Sequence, residues 1–389
     1  MEKLRYGIIG VGKQGSKYAL ILTTGLIKNA TLSAVCDVDE GRIKWAKEKL
    51  EPKGIKVFTD YKEMIDSGLC DAVMVETPHY DHPTIATYSL SKNIHTLIDK
   101  PAGVYTKAIR ELNEYAEEKA KEGVKFGIMY NQRTNPLYKY AKELVEAGRI
   151  GELKRINWII TDWYRPQAYY DQGGWRGTWE GEGGGVLINQ CPHQLDLFQW
   201  LGGMPSSIRG YAQVGKNRNI TVENDVTAYM EYANGATGLF ITSTHDFPGT
   251  NRLEIDGNKG KLVIEGNRLE FTELEVGETE FNATNKKFMP KIPSKKIVKK
   301  MSKLREGYMY IKEQHAGIMK NFTNHVLNGE KLIAPGQEGI NGLTISNAIH
   351  LSSWLGKEVK LPIDEDLYIE ELNKRIEEEK ITNKKHYKE

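Results

Sequence analysis

The feature that most restricts this chain is its first turn. Tyr6 to Ile9 is an apolar run of strand length that breaks at Gly10, Val11, Gly12, Lys13, Gln14 and Gly15, and a helical pattern follows directly. The spacing G-x-G-x-x-G between a strand and a helix is what a dinucleotide pyrophosphate needs. Gly10 allows the tight turn, Gly12 lets the backbone approach the phosphates, and Gly15 lets helix and strand pack closely, while the helix start offers N–H groups and a partial positive charge. With 38 glycines in 389 residues a chance match is easy, so the second part of the fingerprint matters. Thr31 to Cys36 reads as the next strand and Asp37 follows it, about 20 residues beyond the loop, where an acidic side chain is expected. A carboxylate there accepts hydrogen bonds from the ribose hydroxyls and repels a 2′-phosphate, which favours NAD over NADP. The competing reading makes Asp37 a turn or helix cap ahead of a helix over 39–50, and Arg42 nearby blurs the preference.

The first 130 residues continue the alternation. Strand candidates at Val57 to Phe58, Asp71 to Val75, Ile94 to Ile98 and Phe126 to Met129 are separated by helical patterns, including one from Thr106 with Ile109, Leu112 and Ala116 on one stripe. Alternating strands and helices predict a parallel, doubly wound sheet whose ligands collect at the C-terminal strand ends. Asp37, Thr77 and Lys100 all fall at such ends. The expected division is a Rossmann domain over residues 1–131 and an α+β domain over residues 132–389.

In the second part, Asn135 and Pro136 open a helix, Leu153 to Trp163 reads as a strand, and a helical pattern runs to Leu201. Strand candidates then follow one another without helices, at 208–214, 225–232, 236–243, 252–256 and 261–264. Asn234-Gly235 between two of them predicts a type I′ hairpin. This spacing implies a large open, mostly antiparallel sheet. The lysine-rich stretch 284–303 reads as a solvated loop, 312–328 and 337–355 as helices, and 370–389 as a charged helix or tail.

Composition narrows the function classes. Hydrophobic residues at 39% and charged residues at 27% are those of a soluble globular chain, and a net charge of +2 gives no reason to expect nucleic acid or an anionic membrane as partner. Neither a transmembrane run nor a signal-peptide pattern is seen, and Cys36, Cys70 and Cys191 lack metal-ligand spacing, so a reduced cytoplasm is the expected location. His79, Asp81 and His82 form a weak metal pattern without further ligands, and no metal site is expected.

The motifs GVGKQG at 10–15, TPHYDH at 77–82, DKP at 99–101, WRGTW at 175–179 and GGGVLINQCPHQLD at 183–196, taken in order, resemble those of the Gfo/Idh/MocA oxidoreductases. The resemblance runs over nearly the whole chain. It implies a Rossmann domain joined to an open-sheet domain, NAD as cofactor, a sugar, glycoside or cyclitol as the small-molecule substrate, and a homodimer or homotetramer. It makes Lys100 the residue beside nicotinamide and substrate, where an ammonium stabilises a developing alkoxide. It also makes His193 the proton acceptor, a task suited to an imidazole, and places Thr77, Pro78 and His82 at the lip of the nicotinamide site. The family aspartate four residues before the histidine is Asn189 here, which can bind a hydroxyl but cannot take its proton. Four-residue spacing would put Asn189 and His193 on one helical face, an argument that Pro192 weakens. Trp175, Arg176 and Trp179, bracketed by glycines, are the expected sugar contacts through aromatic faces and a guanidinium. The run YYDQGGWRGTW resembles a subgroup that includes levoglucosan dehydrogenase and glycoside 3-dehydrogenases, which points to oxidation at pyranose C3. Two rival readings are a redox-neutral glycosidase that uses NAD and a noncatalytic sugar or dinucleotide sensor.

Overall fold

A computed structural model of the chain describes residues 3–302 and 310–386. Largely apolar runs of three to seven residues form the strands of a six-stranded parallel sheet: β1 (Leu4–Ile9), β2 (Ala30–Cys36), β3 (Lys56–Phe58), β4 (Ala72–Val75), β5 (His95–Ile98) and β6 (Phe126–Ile128). Their order is β3-β2-β1-β4-β5-β6, the doubly wound arrangement, with its reversal between β1 and β4. β4 is buried along its whole length, which is why its sequence is a continuous apolar run rather than an alternating one. The helix Thr106–Lys121 buries the stripe Ile109, Leu112 and Ala116 and leaves its charged face to solvent. The chain divides into two compact units, residues 1–134 with 308–343 and residues 135–307 with 344–389. The segment 310–343 therefore returns to the parallel sheet. There Tyr6 and Thr323 share a hydrogen bond of 2.9 Å, and the missing side chain at Gly127 admits Phe322, which would lie 2.8 Å from a Cβ at that position.

The second unit holds a nine-stranded sheet built from β7 (Leu153–Ile160), β8 (Ser207–Val214), β9 (Glu223–Glu231), β10 (Thr237–Ser243), β11 (Asn251–Gly257), β12 (Gly260–Glu265), β13 (Arg268–Leu274), β14 (Ser294–Lys300) and β15 (Val359–Lys360). The order is β14-β13-β12-β11-β7-β10-β9-β8-β15. β7 and β10 run parallel while the other neighbours are antiparallel. Ile156, Trp158 and Ile160 alternate onto the buried face, where Phe240 meets Phe198 of the helix Pro192–Gly202 at 5.8 Å between rings. The boundary between the units falls within the helix Gly339–Leu355. Its later turns lie so close to β8 that a Cβ on Gly210 would stand 2.7 Å from the Ile349 carbonyl oxygen.

Three local expectations change. The lysine-rich stretch contains a strand, β14, which pairs with β13 at the sheet edge; a solvated edge strand needs little apolar side chain, and Ile297 is its half-buried exception. The Asn234-Gly235 hairpin exists, but only Gly235 has a positive φ, and the Tyr232 and Ala236 backbones close a three-residue turn instead of a type I′ pair. The helix that was expected to carry Asn189 starts only at Pro192, because a proline fits the first helical position and disrupts an interior one. Of the stretches read above, residue 303 and residues 387–389 lie outside the described residues.

Candidate active site

The glycine loop is fixed by sterics. Gly10 has φ +90°, and a Cβ there would come 2.7 Å from the Glu76 carbonyl oxygen at the end of β4, while a Cβ on Gly15 would come 1.9 Å from the Gly10 carbonyl oxygen. Above Gly12 nothing lies within 4 Å of the Cβ position. The protein thus fills the space beside two of the glycines and leaves it open over the third, as a loop that admits a pyrophosphate should. The Val11 N–H donates to Asp37 at 2.7 Å and the Asp39 N–H donates to it at 3.0 Å. Asp37 is thereby held against the loop. The capping role falls to Asp39, which accepts the Arg42 N–H at 2.8 Å. Lys13 is exposed and Gln14 half-buried at the start of the helix Gly15–Thr23.

At the end of β4 the Thr77 hydroxyl is buried with no hydrogen-bond partner among the described residues, and Pro78 is exposed. His82 is buried and places its two ring nitrogens 2.8 Å from the carbonyl oxygens of Thr77 and Pro101. It ties the TP and KP segments together. Burial pulls its imidazole below the ordinary value, against Asp99 and the two carbonyls. Lys100 follows β5, its N–H donating to Asp99 Oδ1 at 2.8 Å, and its peptide bond to Pro101 is cis.

Two residues near Lys100 escaped the sequence reading. Glu76 has both carboxyl oxygens buried, and burial followed by the neighbouring Asp99 pushes it well above the usual carboxylate range, with Lys100 opposing. An acidic residue ending the buried run DAVMV is a visible signal for it. His315, distant in sequence, receives a hydrogen bond of 3.5 Å from Gln14 Nε2 at Nδ1, the nitrogen that also lies 2.9 Å from the Tyr18 hydroxyl. Burial lowers its imidazole to about 4, Asp99 works against this, and the charges of Lys17 and Lys100 add to it. No local pattern announced it. The loop, Asp37, Thr77, His82 and Lys100 all belong to the first unit.

In the second unit, the Tyr169 hydroxyl collects polar groups. Arg176 Nη1 donates to it at 2.9 Å, Gln190 Nε2 at 3.4 Å and Asn189 Nδ2 at 3.5 Å. The Arg176 guanidinium lies over the rings of Trp175 and Tyr169, at 4.4 and 5.0 Å from their centroids. Trp175 is 37% exposed and so can meet a ligand. Trp179 cannot serve in the same way: it is 2% exposed and packs edge-on against His350 and Trp354. Glycines on either side suggested a loop position, but the aromatic ring found the core. His193 stands in the first turn of the helix Pro192–Gly202, with Asn189 just before that helix.

A third residue missed in the sequence is Glu182, set between Gly181 and Gly183. It is 2% exposed, accepts the Gly177 N–H at 2.8 Å and the Asn189 amide, and lies 3.8 Å from Arg176. Burial pushes its carboxyl up to about 7, opposed by Gly177, Asn189 and Arg176, with the Glu223 charge adding to the rise. Glu223 accepts the N–H groups of Gly185 and Leu187 at 2.9 and 3.0 Å and pairs with His350 at 3.2 Å. That carboxylate fixes the glycine-rich segment to the start of β9.

Comparison with known proteins agrees with this geometry. A family profile described as "Oxidoreductase family, NAD-binding Rossmann fold" matches residues 4–128, and one described as "GFO/IDH/MocA C-terminal domain" matches residues 138–263. The chain is 24% identical over 366 residues to a myo-inositol 2-dehydrogenase of Thermotoga maritima, covering 92% of this chain and 98% of that protein. Its fold is similar to that of the WlbA dehydrogenase from Bordetella pertussis in complex with NADH and UDP-GlcNAcA, with TM-score 0.75 and 24% identity over 93% of this chain and 100% of the other. It is similar also to a levoglucosan dehydrogenase in complex with NADH, with TM-score 0.75 and 18% identity over 93% and 100%. The two matched profiles span well over half the sequence and take in the glycine loop, the strand-end lysine and the glycine-rich segment in order: the chain belongs to the Gfo/Idh/MocA family of NAD-binding oxidoreductases.

Proposed function

We propose that the protein oxidises a secondary hydroxyl of a sugar, glycoside or cyclitol, with pyranose C3 as the reacting position. NAD, when bound, supplies the hydride acceptor; the glycine loop, Asp37 and Thr77 hold it. The carbinol C–H bond gives up its electron pair as hydride, its O–H proton passes to His193, and the C=O bond forms. Lys100 stabilises the negative charge that develops on the oxygen. Burial and Asp99 favour the protonated form of Glu76, with Lys100 opposing. Trp175, Arg176 and Asn189 bind the ring and its hydroxyls. The observation that carries the proposal is the grouping of Lys100 with an open glycine loop and a buried Thr77 hydroxyl, without a partner among the described residues, at the strand ends of one Rossmann unit.

A homodimer or homotetramer in the cytoplasm completes the proposal. The exposed Tyr211 and Tyr229 on the open sheet supply a face for self-association.

The test is NADH formation by the purified protein over pyranoses, glycosides, anhydrosugars and inositols, with Lys100→Ala as control. A substrate should appear, and the variant should lose about 10²–10³ in kcat while keeping its NAD affinity. Cleaved glycoside without net NADH would replace this reading by a redox-neutral glycosidase. NAD and sugar binding without any turnover would replace it by a sensor.

A further inference from the structure

Glu182 stands where one carboxyl can organise two substrate contacts. One oxygen accepts the Gly177 N–H at 2.8 Å; the other accepts the Asn189 amide and lies 3.8 Å from Arg176 Nη1. Those same Arg176 and Asn189 nitrogens reach the Tyr169 hydroxyl at 2.9 and 3.5 Å. Around the carboxyl stand Tyr169 and Tyr170 of the helix Gln167–Tyr170, Arg176 of its own loop, Asn189 ahead of the helix Pro192–Gly202, and Glu223 of β9. At 2% exposure it is shielded from solvent, so its charge is not dispersed by water.

We propose that Glu182 is a positioning residue that fixes how Asn189 and Arg176 meet the substrate hydroxyl, so that substrate affinity, and not the hydride step, follows its ionisation. The inference rests on the reading above that Asn189 and Arg176 bind substrate. An amide has a donor end and an acceptor end. While Glu182 is ionised it takes the Nδ2 end, which turns Oδ1 away to accept a sugar hydroxyl, and its charge holds Arg176 in place. Once protonated, it can donate as well as accept, so the amide can reverse and the guanidinium loses its counter-charge. Burial pushes the carboxyl up to about 7 against Gly177, Asn189 and Arg176, which sets this change near neutral pH.

The experiment measures KM and kcat from about pH 5.5 to about pH 8.5, a window that brackets the group, with a substrate found in the panel. Wild type should show KM rising about tenfold as pH falls through this range, the size of one hydrogen bond to a charged group. In Glu182→Gln, KM should stay at the high value at all pH, with the kcat profile of wild type; Glu182→Asp should restore a pH-dependent KM. A KM profile in Glu182→Gln that superimposes on wild type overturns the proposal. Difference infrared spectroscopy of the protein alone adds a readout independent of turnover. A carboxyl C=O signal that titrates near neutrality and vanishes in Glu182→Gln supports the inference, and its absence overturns it. If no sugar is turned over, the functional reading has failed, and calorimetric titration of myo-inositol and glucose into NAD-loaded protein decides this one. Affinity that falls toward acid in wild type but not in Glu182→Gln sustains it; affinity unaffected by the substitution, or no binding at any pH, sinks it.

Discussion

Gly12 and Gly15 of the N-terminal loop should fail in different ways when replaced by alanine. A methyl on Gly15 meets the Gly10 carbonyl oxygen at 1.9 Å, whereas a methyl on Gly12 has nothing within 4 Å. Gly15→Ala should therefore lower stability by about 1–3 kcal/mol, as overpacking does, and lose NAD binding with it. Gly12→Ala should melt like wild type and lose NAD affinity by about tenfold, because the methyl occupies space that a phosphate needs. Thermal melts and an NAD fluorescence titration of both variants check this; equal melting points would mean that the loop relaxes around Gly15. The same scale shows what the sequence could reveal. The glycines and Asp37 are legible because local backbone geometry at a strand end calls for them, and Lys100 because it closely follows β5. Glu182 was legible in principle as an acid among glycines, but its value depends on Asn189 and Arg176, partners that only the fold supplies. Trp179 was misread because nothing local distinguishes an aromatic ring turned toward His350 from one turned toward a ligand.

Among elements, the start of β9 governs the glycine-rich segment through one side chain. Glu223 is fully buried and accepts two backbone N–H groups while pairing with His350. Glu223→Gln keeps the shape but turns an acceptor into a donor that faces either an N–H or the imidazole. It should cost about 1–3 kcal/mol, the penalty for leaving a buried polar group unsatisfied, seen as a lower urea midpoint at unchanged slope. NAD affinity should stay at the wild-type value. No change in midpoint would mean that the segment 183–187 is held by its own turns. Elements were legible where burial forced a continuous apolar run, as in β4, or a helical period, as in the Thr106–Lys121 stripe. They were not legible where pairing alone makes the strand: β14 carries four lysines in seven residues and is a strand because β13 offers it backbone partners. The return of residues 310–343 to the first unit is set by long-range contacts such as Tyr6 with Thr323, which leave no local mark.

Across the molecule, two buried titratable groups pull stability in opposite directions with pH. His315 belongs to the first unit and is lowered to about 4 from an ordinary value of 6.5. It stays neutral in the folded state while the unfolded chain takes up a proton, so its contribution is full above pH 6.5 and is lost as pH falls through about 4. Glu182 belongs to the second unit and is raised from 4.5 to about 7. Its contribution is full below pH 4.5 and is lost as pH rises through about 7. Each shift corresponds to about 3 kcal/mol at most, and both act between pH 4.5 and 6.5, where they cancel. If the units unfold in one transition, wild type should owe little net slope to this pair in that window. His315→Gln should then add a fall in stability as pH rises, and Glu182→Gln should add a gain. If the units unfold separately, each substitution should tilt only the transition of its own unit. Slopes are the quantity to compare, since His315→Gln also alters the contact with Tyr18 and shifts stability at every pH. Urea unfolding at intervals of pH, followed by intrinsic fluorescence, measures them. Parallel curves for wild type and both variants would show that neither group differs in protonation between folded and unfolded states, and the buried carboxyl invoked at Glu182 would then have to titrate like an exposed one.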